Sequence, residues 1–122
     1  LNVVETKISI PEQLHLRSFD LNVLLGNLLD NAIDASMQTE DKKLKITIKL
    51  DKGILFLNIC NSCQRIADGR NDFLETTKED KVNHGIGLKN VRRIVEKYHG
   101  EIMFLCENDS METDVMMYIK EM

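Results

Sequence analysis

From Lys43 to Leu50 the chain alternates without a break: Leu44, Ile46, Ile48 and Leu50 on one side, Lys43, Lys45, Thr47 and Lys49 on the other. A strand patterned this way buries one face and leaves the other to water. Something apolar must therefore cover the leucine and isoleucine side. Two segments can do so. Leu21, Leu25, Leu28, Ala32 and Ala35 recur at helical spacing, widened by Leu24 and Leu29, and Leu88, Val91, Ile94, Val95 and Tyr98 form a second stripe. Asp20 is placed to cap the start of the first helix and Gly100 to end the second.

The remaining elements follow from turn residues and short apolar runs. Asn2 to Ile10 reads as an edge strand, closed by Pro11. Asp51-Lys52-Gly53 turns the chain into a second strand, Ile54 to Cys60, so the pair forms a hairpin. Glu101 to Cys106 and Val115 to Ile119 supply two more strands, joined by a polar turn over Glu107 to Asp114. The order is strand, helix, two strands, helix, two strands. It predicts an α/β two-layer sandwich, with a mixed, largely antiparallel sheet and helices packed on one face. From Asn61 to Asn83 the sequence is polar and aperiodic. A loop of that length in a small domain is rare and usually functional.

Composition narrows the class. The 122 residues suit one domain, and 43% hydrophobic residues suffice for one core. The formal net charge of −4 argues against nucleic acid as a partner. No apolar run approaches the roughly 18 residues that span a bilayer, and no signal peptide opens the chain. A start at Leu1 leads us to expect a fragment of a longer protein. Cys60, Cys63 and Cys106 are an odd count, expected in a reducing compartment. Cys60 and Cys63 make a C-x-x-C pair, but zinc needs four ligands and no second pair has the spacing. Cys60, at the end of an apolar run, reads as a small hydrophobe, with a redox pair as the alternative.

Two constellations carry chemistry. On the first helix Asn27, Asn31 and Asp34 stand at i, i+4 and i+7, about a quarter turn from the leucine face. Asn is a poor helix former, so propensity does not account for the pair. Their oxygens suit a hard cation such as Mg²⁺ bridging to phosphates, or simply a solvated polar margin. Further on, His84-Gly85-Ile86-Gly87-Leu88 leads into the second helix. Glycines there allow close backbone approach, and the free N–H groups of a helix start suit phosphate oxygens. A plain loop-to-helix turn is the alternative, and the pattern is neither a Walker A loop nor a Rossmann fingerprint. Lys78 can either reach a terminal phosphate as a point charge or stand in solvent.

Taken together, Asn27 to Ala35 (NLLDNAIDA), a long loop, and HGIGLKNVRRIVEKYHGEI resemble the ATPase fold shared by gyrase, heat-shock chaperone, histidine kinase and MutL. The likeness covers nearly the whole chain, 1–122, and comes nearest to the ATP-binding domain of sensor histidine kinases. TTKED-x-x-NHGIGL resembles the AgrC-type quorum-sensing receptor kinases in particular.

The resemblance implies Mg-ATP as ligand. Asn31 would ligate Mg²⁺; Asn27, Asp34 and Ala35 would face the nucleotide. Lys78, His84, Gly85, Ile86, Gly87 and Leu88 would lie at the phosphates, with about 62–84 as an ATP lid. It also implies transfer of the γ-phosphoryl to a histidine of an upstream dimerisation domain, a response regulator as next acceptor, and a cytoplasmic place in a membrane-bound homodimer. Hydrolysing members carry Glu where this chain has Asn27, and an amide is no general base. Phosphoryl transfer then rests on positioning and charge neutralisation, with Asn27 and Lys78 nearest the chemistry.

One departure stands out. The family's D-x-G-x-G, whose Asp reads the adenine amine, is here Asn61-Ser62-Cys63-Gln64-Arg65. Asn61 can still accept from that amine, but both glycines are gone. This admits an alternative, a nucleotide-sensing module without catalysis. A hydrolysing clamp or chaperone fragment fits less well with Asn27. None of His15, His84 and His99 has the helical context of a phosphoacceptor.

Overall fold

A computed structural model describes residues 2–9, 16–64 and 78–119, with side chains described over 16–64 and 87–119. The elements are β1 (Asn2–Ser9), α1 (Ser18–Met37), β2 (Lys43–Asp51), β3 (Ile54–Ser62), α2 (Lys78–Lys97), β4 (Glu101–Glu107) and β5 (Ser110–Tyr118). They form one five-stranded sheet in the order β1-β2-β3-β5-β4. β1 runs parallel to β2 at the edge, as expected of a strand reached through a helical crossover, and the other pairings are antiparallel. The expected architecture holds.

Side-chain alternation decides which face the helices cover. Leu44 and Ile48 of β2, Leu55, Leu57 and Ile59 of β3, and Val115 and Met117 of β5 are buried on one side. Against them pack Leu24, Leu28 and Ala32 of α1 and Val91, Ile94 and Val95 of α2. Leu24 is wholly buried, so Leu24→Ala removes its transfer energy and leaves a cavity, about 2–5 kcal/mol. The opposite face is open and carries Met103, Leu105 and Tyr118 in exposed positions. Among the described residues no helix is long and apolar enough to cross a membrane.

The hairpin turn behaves as its residues require. Lys52 and Gly53 both take positive φ, 52° and 78°, between paired Asp51 and Ile54. That is a two-residue turn whose twist suits the strands.

Four expectations are corrected. Asp20 does not cap α1; Arg17 holds that position with no side-chain bond, and Asp20 sits buried in the first turn. The buried stripe of α1 is Asp20, Leu24, Leu28, Asn31, Ala32 and Ser36, rotated toward the asparagines, with Leu21 and Leu25 only partly covered. The expected polar turn over Glu107 to Asp114 is mostly strand. Only Asn108 and Asp109 turn, because Met111, Thr113, Val115 and Met117 alternate inward while Glu112 and Asp114 alternate outward. Gly100 follows α2, but the left-handed residue there is His99, φ 53°. Gly100 N donates to Val95 O at 2.8 Å, closing the helix end. Glycine is needed at 100 for another reason: a Cβ would lie 2.0 Å from the Met116 carbonyl oxygen.

Candidate functional site

The first constellation is positioned by α1 and the sheet beneath it. Asn31 lies in the buried stripe at 7% exposure, just under one turn after Leu28, which packs in the core. Asn27, one turn earlier, is half-buried, and its Nδ2 donates to Val23 O at 2.8 Å. That bond fixes the amide plane and turns the oxygen toward α2. There Gly87 packs so closely that a Cβ would stand 2.7 Å from Asn27 Oδ1. Asp34 is exposed and Ala35 half-buried on the next turn. The donors along this margin are amide and carboxylate oxygens, the set a hard divalent cation accepts.

The second constellation differs from its expected form. α2 begins at Lys78, so Gly85 and Gly87 lie within helical backbone and not in a loop ahead of it. The free N–H groups of the helix start therefore belong to the turn at 78–81. The expected lid of about 62–84 has other bounds as well: Ser62 still belongs to β3, and 78–84 are helical. Residues 65–77 lie outside the described residues, as do the side chains of Lys78, His84 and Ile86. Gly87 and Leu88 are buried, and Gly87 faces Asn27 of α1.

Asn61 enters from the sheet. It is 4% exposed near the end of β3, on the helix-facing side, and its Nδ2 donates to Ser62 O at 3.0 Å. Its oxygen is thereby left as the acceptor end. Beside it a hydroxyl chain ties three elements together. Thr39 Oγ1 donates to Ser36 O at 2.6 Å, which spends its one proton. Ser62 Oγ must then be the donor in the 2.8 Å bond to Thr39 Oγ1, and it accepts from Lys43 N at 2.9 Å. The end of α1, the start of β2 and the end of β3 are thus pinned next to Asn61.

Two residues escaped sequence reasoning. Thr113 of β5 is 4% exposed in the inward row, one strand over from Asn61 and two positions along. The alternation through Met111, Val115 and Met117 was the signal, hidden by reading 107–114 as a turn. Tyr98, taken as core, carries polar work. Its hydroxyl donates to Asp20 Oδ2 at 2.6 Å and accepts from Arg17 N at 3.2 Å, while Lys97 Nζ meets the same carboxylate oxygen at 2.8 Å. Those bonds, from Lys97 first and Tyr98 second, hold the Asp20 carboxyl below its ordinary pKa against the opposing effect of burial. Burial and the Asp20 bond push the Tyr98 phenol up. The beginning of α1 is so locked to the end of α2.

Two surface depressions of about 350–360 Å³ lie elsewhere. One is on the open sheet face around Phe56, Met103 and Met116, and the other lies at the strand ends around Lys43, Asn61 and Ser110. Neither includes Asn27, Asn31 or Gly87. The C-x-x-C pair is split: Cys60 sits half-buried on the open-face side with its thiol donating to Asn58 Oδ1 at 3.3 Å, and Cys63 is buried. No group of three metal-ligating His, Cys, Asp or Glu occurs among the described residues.

A mixed sheet under two helices, with an asparagine helix margin facing a glycine of the second helix, makes an α/β two-layer sandwich. The chain belongs to the GHKL domain family, whose profile matches residues 16–118. It is 30% identical over 93 residues to a probable C4-dicarboxylate sensor kinase of Halalkalibacterium halodurans, an alignment covering 68% of this chain and 16% of that protein. The chain therefore spans a small part of the relative it matches. Solved structures share the fold. The histidine kinase AdeS of Acinetobacter baumannii superposes with a TM-score of 0.67 at 20% identity, covering 98% of this chain and 56% of that one. The catalytic domain of histidine kinase ThkA gives 0.69 at 22% identity, covering 96% and 79%. Full-length ShkA in complex with AMPPNP gives 0.73 at 13% identity, covering 99% and 26%.

Proposed function

We propose that this chain is the ATP-binding domain of a sensor histidine kinase, holding Mg-ATP between the asparagine margin of α1 and the glycine segment of α2. The observation that carries this reading is the apposition of Asn27 and Gly87, which joins two motifs distant in sequence at one place. In this reading Asn31 Oδ1 ligates Mg²⁺, and the metal neutralises phosphate charge when bound. Asn27, its amide fixed by Val23 O, has no lone carboxylate with which to activate water. The γ-phosphoryl is kept for a histidine of an upstream dimerisation domain, and then for a response regulator. The full protein is a membrane-bound homodimer with this part cytoplasmic. The finer likeness to AgrC-type quorum-sensing kinases rests on TTKED-x-x-NHGIGL, most of whose side chains lie outside the described residues.

One observation favours a second reading. β3 ends at Ser62, and the family's first glycine position is Cys63, buried and with its N–H donating to Asp109 O at 2.9 Å, so the adenine end is built without that glycine. A nucleotide-sensing module without transfer would tolerate this better. Incubation of the full-length protein with γ-labelled ATP separates the two. Transfer predicts acid-labile, alkali-stable label on the protein, lost in Asn31→Ala. Tight nucleotide binding with no label would favour sensing.

A further inference from the structure

Cys63 and Cys106 are far apart in sequence and belong to different strands' ends, yet their Sγ atoms stand 3.9 Å apart. The fold brings them together at the tip of the sheet. Cys63 follows β3 directly and its N–H donates to Asp109 O at 2.9 Å, which draws it onto the β4–β5 turn. Cys106 pairs with Met111 across that hairpin, on the side facing the helices. Both residues are free thiols. A disulfide needs sulfurs about 2.05 Å apart, so the two Sγ atoms must close by about 2 Å.

We propose that Cys63 and Cys106 are a disulfide-forming pair, a reversible thiol modification site at the junction of β3 with the β4–β5 hairpin. The oxidant is a small disulfide. Cys106, the more exposed of the two, attacks as thiolate; the oxidant's S–S bond breaks and one thiolate leaves. Cys63 then loses its proton and attacks the Cys106 sulfur, expelling the second thiolate. Two protein thiols are oxidised and one small disulfide is reduced to two thiols. Burial, first, and the Cys106 sulfur, second, push the Cys63 thiol up to about 12, so the more exposed Cys106 meets the oxidant first. Capping Cys106 removes that neighbouring charge but not the burial, so the 3.9 Å approach of the two sulfurs is what favours the second step. Cys60, on the other face and bonded to Asn58, takes no part.

The pairing does not depend on nucleotide binding. The test is incubation of the folded chain with glutathione disulfide, followed by alkylation of remaining thiols, intact mass and peptide mapping. Expected are a mass lower by two hydrogens, one alkylated cysteine (Cys60), a 63–106 cross-linked peptide, and a Tm raised by several degrees that reductant reverses. Cys63→Ser should instead retain glutathione on Cys106. Three alkylated thiols, a 60–63 bridge or an intermolecular dimer in the wild-type chain would each overturn the proposal.

Discussion

Gly87 of α2 approaches Asn27 of α1 so closely that a Cβ on it would stand 2.7 Å from Asn27 Oδ1. Asn27 cannot swing away freely, because its amide nitrogen is bonded to Val23 O. Gly87→Ala gains up to about 1 kcal/mol of helix propensity and costs about 1–3 kcal/mol of overpacking. A net loss of up to about 2 kcal/mol is expected in urea unfolding, seen as a lower midpoint at unchanged slope. Gly26→Ala is the control, since Gly26 is exposed on α1 with nothing within 4 Å, and it should stabilise by about 1 kcal/mol. Equal gains in both variants would show that the helix contact yields.

The lock between helix ends is sensitive to acid. Asp20 has a folded pKa below its unfolded one, so its stabilisation is present above about pH 4 and is lost as pH falls through the folded value. Wild type should lose more stability than Asp20→Asn as the pH falls from about 5 to about 2. Tyr98→Phe removes the hydroxyl's bonds to Asp20 and from Arg17 N and should cost about 1–2 kcal/mol at neutral pH. Thermal unfolding across pH reads both. Curves of wild type and Asp20→Asn that stay parallel would remove the carboxylate from this role.

Much of this fold was legible because alternation and helical spacing are strong where one face is buried. β2, β3, the Lys52-Gly53 turn and the helix-covered face follow directly. What failed did so for physical reasons. Asp20 looked like a cap, but its partners Lys97 and Tyr98 come from the far end of the chain, and no local pattern shows them. Glu112 and Asp114 made a strand look like a turn because their face is solvated. Of the candidate site, the approach of Gly87 to Asn27 was not legible, because it depends on the packing of α1 on α2 and no local pattern shows it.

Gly100 gives a sharper steric test. An added Cβ would meet the Met116 carbonyl at 2.0 Å, backbone against backbone. Gly100→Ala must shift the α2 end or β5, and a loss of about 3 kcal/mol or more is expected. A Tm within a degree or two of wild type would mean the approach is looser than described.

The helical backbone through Gly85 bears on nucleotide binding. Each glycine makes the helix about 1 kcal/mol less favourable than alanine would, so this part of α2 is the easier one to unwind. If phosphates take the amides here, Gly85→Ala should stabilise α2 yet weaken binding of an ATP analogue by about fivefold or more, as 1 kcal/mol of conformational cost requires. Higher helicity with unchanged affinity would place the phosphates elsewhere.

Titration of the folded chain with a non-hydrolysable ATP analogue, with and without Mg²⁺, in wild type and Asn31→Ala, tests the nucleotide site most directly. Binding that depends on Mg²⁺ and is largely abolished by Asn31→Ala is the expected result. No binding to the wild-type chain at millimolar nucleotide, or equal affinity in the variant, would contradict it.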